Sequence, residues 1–95
     1  MNAQKEFDSL ELDVKEEFSG VLLKLQEIGE LREPEAKKLN KDIFEVRIRV
    51  SENQWRGLYA YYYRNQIVIL RIFQKKTQKT PKRELDLAIK RLKRL

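Results

Sequence analysis

The chain has 95 residues, of which 41% are hydrophobic and 38% are charged, a balance that predicts one globular domain over residues 1–95. It contains no cysteine and no histidine, so disulfides, ordinary zinc sites and a histidine general base are excluded. No apolar run approaches the roughly 20 residues that span a bilayer, and the acidic N-terminus is unlike a signal peptide. We therefore expect a cytoplasmic protein that does not bind membranes and needs no cofactor.

The net charge of +6 is unevenly distributed along the chain. Residues 1–45 carry 7 Lys/Arg and 12 Asp/Glu, a net charge of −5, whereas residues 46–95 carry 14 Lys/Arg and 3 Asp/Glu, a net charge of +11. A basic half beside an acidic half favours a polyanionic partner, RNA or DNA, that binds on one side. A protein with a merely lopsided surface has the same composition, so charge alone leaves the partner open.

Two helices are predicted before residue 30. Residues 4–10 indicate a short helix with Phe7 and Leu10 on one side, and Asp13 then heads a D-x-x-E pattern typical of an N-cap. Gly29 stands where a helix of this pattern ends. One apolar stripe recurs at helical spacing in the second helix: Val14, Phe18, Val21, Leu25 and Ile28. Its length predicts packing on a sheet rather than a coiled coil.

Three antiparallel strands are predicted next, after a polar connection over residues 30–42. Residues 44–50 alternate apolar with charged side chains, which places Glu45, Arg47 and Arg49 on one face of a half-buried strand. Residues 55–63 and 67–74 are the second and third strands, joined by tight turns at 51–54 and 64–66. Two short hairpins in succession predict a meander.

Thr80 and Pro81 predict the start of a last helix, with Thr80 as the N-cap and Pro81 at the first helical position. Four apolar residues share one face of that helix: Leu85, Ala88, Ile89 and Leu92. The predicted fold is therefore α+β, with N-terminal helices packed on a three-stranded antiparallel meander that is followed by a C-terminal helix. We expect a concave basic surface between the sheet and the last loop.

Several cations are predicted to converge on that surface. Arg47 and Arg49 point outward from the first strand, Arg56 follows the next turn, and Arg71 and Lys75 share parity on the third strand. Like charges repel, so a sequence tolerates such a cluster more readily where a polyanion binds. Taken singly, Arg47 and Arg49 are better interpreted as ordinary solvated strand residues than as ligands of a polyanion, and Arg56 has Glu45 or Glu52 as a candidate ion-pair partner. The prediction depends on their convergence.

The C-terminal half also resembles a known family. The segment IVILRIFQKKTQKTPKRELDLAIKR, residues 67–91, is similar to the C-terminal hallmark of the phage-derived, HigB-like toxins of the RelE superfamily. The string F-x-K-K-T-x-K-T-P from Phe73 to Pro81 is its most specific part, and the resemblance extends upstream over nearly the whole chain. Two departures stand out. Arg71 and Ile72 replace the family's usual histidine and glycine, and the family's extra first strand is missing, which is expected to open a sheet edge for pairing.

The resemblance implies a RelE-like fold and a toxin of a type II toxin–antitoxin system. It implies ribosome-dependent cleavage of mRNA in the decoding site and neutralisation by a helix-turn-helix antitoxin. The open sheet edge would favour pairing with that antitoxin or with a second copy of the chain.

A metal-independent endoribonuclease mechanism suits these residue types, in which the RNA 2′-hydroxyl attacks the adjacent phosphate. We predict that Arg47 and Arg56 stabilise the phosphorane, since guanidinium groups meet phosphate oxygens bidentately. Lys75 or Lys76 is the predicted acid or base, because neighbouring cations lower a lysine pKa. The predicted RNA-binding residues are Arg49, Arg71, Phe73 as a stacking surface, Lys79 and Lys82.

Three other interpretations stay open. A ParE-like toxin on the same fold inhibits DNA gyrase and cuts no RNA, and fold analogy does not decide between the two. A non-catalytic nucleic-acid-binding regulatory domain fits the missing histidine. An interaction module whose basic face meets only an acidic antitoxin segment is the third.

Overall fold

The computed structural model describes residues 2–63, 66–76 and 79–95. Within these residues the elements follow in this order: α1 (Ala3–Asp8), α2 (Leu12–Ile28), β1 (Ala36–Lys38), β2 (Phe44–Val50), β3 (Asn53–Tyr62), β4 (Gln66–Lys75) and α3 (Lys82–Lys93). The strands form one antiparallel sheet in the order β1-β2-β3-β4. The α+β class is confirmed, but the sheet has four strands and the predicted number of three is wrong. The turn predicted at 64–66 lies mostly outside the described residues.

The additional strand, β1, lies in the segment predicted to be a polar connection. It pairs with the first half of β2. The Asn40 side chain closes the hairpin, because its Oδ1 accepts hydrogen bonds from the backbone N–H of Asp42 and of Ile43 at 2.8 and 2.7 Å. Only Ala36 of its three residues is buried. A strand this short shows no alternation, so the sequence pattern could not indicate it.

α2 packs on one face of the sheet through the predicted apolar stripe. Val14, Phe18 and Leu25 are buried in one core cluster with side chains of β2, β3 and β4. Gly57 of β3 lies directly under Phe18, since a Cβ atom there would meet a Phe18 ring carbon at 3.0 Å. The glycine therefore sets how closely the helix approaches the sheet.

The predicted ends of α2 are confirmed at one terminus and corrected at the other. Gly29 ends the helix in the left-handed conformation, with φ at 86°, as its position predicts. The helix begins at Leu12, one residue before the predicted cap. Asp13 is consequently inside the first turn, where its Oδ1 accepts from the N–H of Val14 at 2.8 Å.

α3 packs on the opposite face of the sheet. Its predicted apolar residues contact a second core cluster formed by Ile43, Leu58, Ala60, Leu70, Phe73 and Ala88. Thr80 is not the cap of α3: Pro81 occupies that position without a side-chain hydrogen bond. The Thr80 hydroxyl instead donates to the carboxylate of Glu45. The turn before α3 is thereby tied to β2.

α1 lies along β4, which is an edge strand. Glu6 accepts a hydrogen bond from the backbone N–H of Ile72 at 3.1 Å, and Arg91 of α3 donates to the carbonyl of Leu70 at 2.7 Å. Side chains thus bond to backbone N–H and C=O groups of the edge strand, with which an added strand would otherwise pair. The open edge expected from the missing first strand is closed at these positions.

Candidate functional site

Cations from three strands meet on the face of the sheet that α3 covers only in part. Arg47 of β2 pairs in register with Arg56 of β3, and Gln54 of β3 pairs with Lys75 of β4. Residues that are paired, or two apart, project from the same face of a sheet. The alternation predicted from the sequence therefore brings Arg47, Arg56 and Lys75 to one side, next to the turn between β2 and β3.

These side chains line a cavity of about 680 Å³, which we call the cationic cleft. Its lining residues are Arg47, Glu52, Asn53, Gln54, Arg56, Gln74, Lys75 and Lys76. Four of them are cationic and one is acidic, and the neutral members are amides that donate and accept hydrogen bonds. The cleft is therefore suited to an anion with further polar groups beside it.

A buried carboxylate, Glu45, organises this cluster. It is 1% exposed, and its Oε1 lies 3.3 Å from the Nε atoms of both Arg47 and Arg56. The Arg47 contact has hydrogen-bond geometry, whereas the Arg56 contact is ionic only. Its Oε2 accepts from the Thr80 hydroxyl. One carboxylate thus links β2, β3 and the turn before α3, and leaves the surrounding cluster with an excess of positive charge.

Arg56 forms the inner wall of the cationic cleft. It is 6% exposed, and its guanidinium donates to the Trp55 carbonyl at 3.2 Å and to Gln54 Oε1 at 3.1 Å. Burial lowers the pKa of Arg56, against the attraction of Glu45. The side chain of Arg47, 30% exposed, is the more accessible of the two. Arg47 is therefore better placed for direct contact with a phosphate.

Lys75 has a pKa below the ordinary 10.5 of lysine. Partial burial is the largest cause, and the positive charge of Arg56 lowers the pKa further, while Glu45 acts in the opposite direction. A lowered pKa increases the fraction of neutral amine at a given pH. The sequence prediction of a lysine poised for proton transfer fits this environment.

A smaller cavity of about 260 Å³, the side cleft, adjoins the cationic cleft and shares Arg47 and Lys75 with it. Its lining residues are Lys37, Leu39, Glu45, Arg47, Lys75, Lys79, Thr80 and Leu85. Lys37 was missed by the sequence analysis, because β1 gave no recognisable pattern. Glu45 was noticed only as one of two nearby acids, since its burial depends on α3 and the preceding turn.

The other predicted cations have different positions. Arg49 is exposed beside the cationic cleft, in a shallow pocket that it shares with Arg47, Gln54 and Arg56. Lys79 lines the side cleft. Lys82 is exposed at the first position of α3 and lines neither cleft.

Arg71 and Phe73 do not face the cationic cleft as the sequence analysis expected. The Arg71 guanidinium is bound by two carboxylates, Glu6 at 2.5 Å and Glu84 at 2.8 Å. These partners raise the pKa of Arg71 although burial alone lowers it. Phe73 is 7% exposed and packs in the core cluster under α3, with the Arg71 guanidinium 5.9 Å from its ring centre. Phe73 therefore belongs to the core under α3, and Arg71 belongs to the ion pairs that join β4 to α1 and α3, so the roles predicted for them in RNA binding do not fit.

A larger cavity, about 800 Å³, lies on the opposite face, where α2 packs. Among the described residues that line it, Glu30 is the charged one, and Phe44, Tyr61 and Ile67 supply apolar surface. Size alone would favour this cavity, but its chemistry does not suit a polyanion, so we place the site in the cationic cleft.

Among residues 2–63, 66–76 and 79–95, no three carboxylates are grouped as a metal site. None of the helices in these ranges has the length and apolar character of a membrane span.

Residues 5–93 match the family described as phage derived protein Gp49-like (DUF891). The match covers both clefts and all of the elements from β1 to α3. No curated protein matches the chain.

Proposed function

The chain belongs to the phage-derived Gp49-like family, a toxin-like family of the RelE/HigB type, and we propose that it is a toxin that cleaves ribosome-bound mRNA. The observation that carries the proposal is the cationic cleft, where Arg47, Arg56, Lys75 and Lys76 line one cavity with Glu52 as the acid beside them. An RNA phosphate has the charge that such a cleft accommodates. The partner that neutralises the toxin is, in this proposal, a helix-turn-helix antitoxin.

The reaction requires a group that stabilises charge on the phosphate. The RNA 2′-oxygen attacks the adjacent phosphorus, a new P–O2′ bond forms and the P–O5′ bond breaks, which leaves a 2′,3′-cyclic phosphate and a 5′-hydroxyl. Negative charge accumulates on the phosphorane oxygens between these two events. Arg47 is accessible and held in place by Glu45, so its guanidinium can bind the phosphorane oxygens without reorganising. The positive charge of Arg56, on the inner wall, stabilises the same oxygens electrostatically.

The reaction also requires two proton transfers, which we assign to the two lysines of the cleft. Lys75 in its neutral form accepts the proton of the attacking 2′-hydroxyl, because its pKa is lowered. Lys76 is exposed at the rim of the same cleft and donates a proton to the departing 5′-oxygen. The two lysines are adjacent in the chain, so both proton transfers depend on how β4 ends.

The proposal is tested by inducing the protein in bacteria and mapping mRNA 5′ ends together with growth. We expect growth arrest and new cuts within translated codons for the wild type, and loss of both for Arg47→Ala with Lys75→Ala. Lys90→Ala is the matched control, since Lys90 is exposed on α3 and lines neither cleft. Co-expression of a helix-turn-helix protein encoded beside the toxin is expected to restore growth.

Two outcomes would contradict the proposed activity, and a third would contradict its place in the cationic cleft. DNA damage without mRNA cuts would identify a gyrase inhibitor of the ParE type. Salt-sensitive binding to ribosomes or RNA without any cut would identify a non-catalytic binding domain. Unchanged cleavage by the Arg47/Lys75 double variant would show that the protein cleaves mRNA, but at a site other than the cationic cleft.

A further inference from the structure

The side cleft is not needed for the reaction proposed above, yet it continues the same positive surface. Arg47 and Lys75 form the partition between the two clefts, because each side chain lines both. A nucleic-acid strand whose phosphate lies against Arg47 and Lys75 therefore has a second cavity next to it.

The charge of the side cleft favours an anion. Lys37 and Lys79 line it in addition to the two shared cations, and its carboxylate, Glu45, is already engaged by Arg47, Arg56 and Thr80. The Thr80 hydroxyl is the donor in that contact. The walls are completed by Leu39 and Leu85. At about 260 Å³ the cavity is smaller than the roughly 300–1,000 Å³ typical of ligand sites, which suits one phosphate with part of its sugar.

Lys37 is the residue that distinguishes this site from the cationic cleft. It is exposed on β1 and pairs in register with Glu45 of β2, so it lies on the same side of the sheet as Arg47. Lys38, its neighbour, projects to the other side, where its Nζ lies 5.7 Å from the centre of the Phe44 ring. The two adjacent lysines of β1 therefore project from opposite faces of the sheet.

We propose that the side cleft is a second phosphate subsite, in which Lys37 binds the phosphate next to the one held by Arg47 and Lys75. The inference rests on the proposed function, because it takes the cationic cleft as the place of the first phosphate. It adds a substrate requirement: the protein recognises at least two consecutive phosphates of a single strand.

The test compares the binding of two short 2′-O-methyl oligoribonucleotides, which lack the attacking hydroxyl, to the full chain. A dinucleotide offers one phosphodiester and a trinucleotide offers two. We expect the trinucleotide to bind more tightly, with a log–log salt dependence steeper by about 0.7. Lys37→Ala should abolish this difference and leave dinucleotide binding unchanged. Lys37→Arg should retain the difference, and Lys38→Ala is the matched control on the same strand.

Two results would overturn the subsite while the proposed function stands: a trinucleotide that gains nothing over the dinucleotide, or an equal loss in Lys37→Ala and Lys38→Ala. A different result would count against the proposed function itself. This is dinucleotide binding that is the same in Arg47→Ala and Lys75→Ala as in the wild type.

Discussion

At the scale of single residues, Lys75 lies in an environment that favours its neutral form. Burial and the charge of Arg56 lower its pKa below 10.5. If Lys75 accepts the proton, the cleavage rate rises as pH increases through this pKa, and it levels off at a lower pH than an ordinary lysine would give. The measurement is a single-turnover rate against pH on programmed ribosomes.

Lys75→Arg is the diagnostic variant for this prediction, because arginine keeps the positive charge but does not release its proton near neutral pH. We expect it to retain RNA binding and to lose the pH-dependent rise. A variant that cleaves with the wild-type profile would show that Lys75 binds phosphate and that another group takes the proton.

Glu45 is a positioning residue whose removal should be costly. Glu45→Gln takes away the charge that lies 3.3 Å from both arginines. Removing one partner of a buried ion pair leaves the other charge buried and unpaired, which destabilises a protein strongly. We therefore expect a loss of about 3 kcal/mol in the free energy of unfolding. Glu45 also raises the pKa of Lys75, so the pH midpoint of cleavage should move to lower pH. Denaturant unfolding and the pH–rate profile measure the two effects.

The matched control for Glu45 is Glu35→Gln. Glu35 pairs with Lys24 at 2.8 Å, but both side chains are nearly half exposed, and exposed pairs contribute only about 0.5 kcal/mol. Similar losses in the two variants, or an unchanged pH midpoint in Glu45→Gln, would contradict the role assigned to the buried carboxylate.

The register between the strands, which no local pattern gives, brings Arg56 and Lys75 to the same face as Arg47. Strand alternation by itself predicted only which residues within one strand share a face. It could not show what covers that face. Phe73 and Arg71 have the same parity as Lys75, but α3 buries the first and Glu6 and Glu84 bind the second. These contacts join residues far apart in the sequence, so they belong to tertiary packing rather than to any local pattern.

At the scale of elements, an ion-pair network fastens α1 and α3 to β4. Glu6 is 5% exposed and contacts Arg71 at 2.5 Å, Arg91 at 2.9 Å and the N–H of Ile72. Burial raises the pKa of Glu6, but the hydrogen bonds from Arg91, Ile72 and Arg71 outweigh it, and the net pKa is lowered from 4.5. A six-residue helix is not stable by itself, so α1 depends on this network.

A lowered pKa in the folded state fixes how Glu6 affects stability. Its contribution is complete above the unfolded pKa near 4.5 and is lost as pH falls through the lower folded pKa. We therefore expect Glu6→Gln to cost about 3 kcal/mol at pH 7 and clearly less below pH 4. Denaturant unfolding at the two pH values measures this. Glu17→Gln, on the exposed side of α2, is the control, and a pH-independent cost in Glu6→Gln would contradict the prediction.

The elements that the sequence predicted correctly are those with several turns or alternations, namely α2, β2, β3, β4 and the apolar face of α3. β1 is three residues long and is held by pairing with β2 and by the Asn40 turn. Thr80 looked like an N-cap, but a nearby carboxylate competes for its hydroxyl. In both places a tertiary partner decides the local conformation, and a single sequence does not reveal that partner.

At the scale of the whole molecule, the two faces of the sheet differ in charge. α2 carries four acidic and two basic side chains and covers one face. The cationic cleft and the side cleft lie on the other face. A polyanion is therefore attracted to one side of the protein and repelled from the helix on the other, which orients it during encounter.

Two charge-reversal variants distinguish the effect of charge location on RNA binding from the effect of net charge. Lys76→Glu and Lys5→Glu each lower the net charge of +6 by two, but Lys76 lines the cationic cleft and Lys5 is exposed on α1. Salt screens distant charges over roughly 8–10 Å, so only a charge beside the bound RNA should matter at physiological ionic strength. We expect about tenfold weaker RNA binding for Lys76→Glu, with a shallower salt dependence, and less than about a twofold change for Lys5→Glu. Fluorescence anisotropy with a labelled 2′-O-methyl RNA measures both. Equal weakening by the two variants would mean that RNA responds to the total charge of the protein, and the cleft would then have no special part in binding.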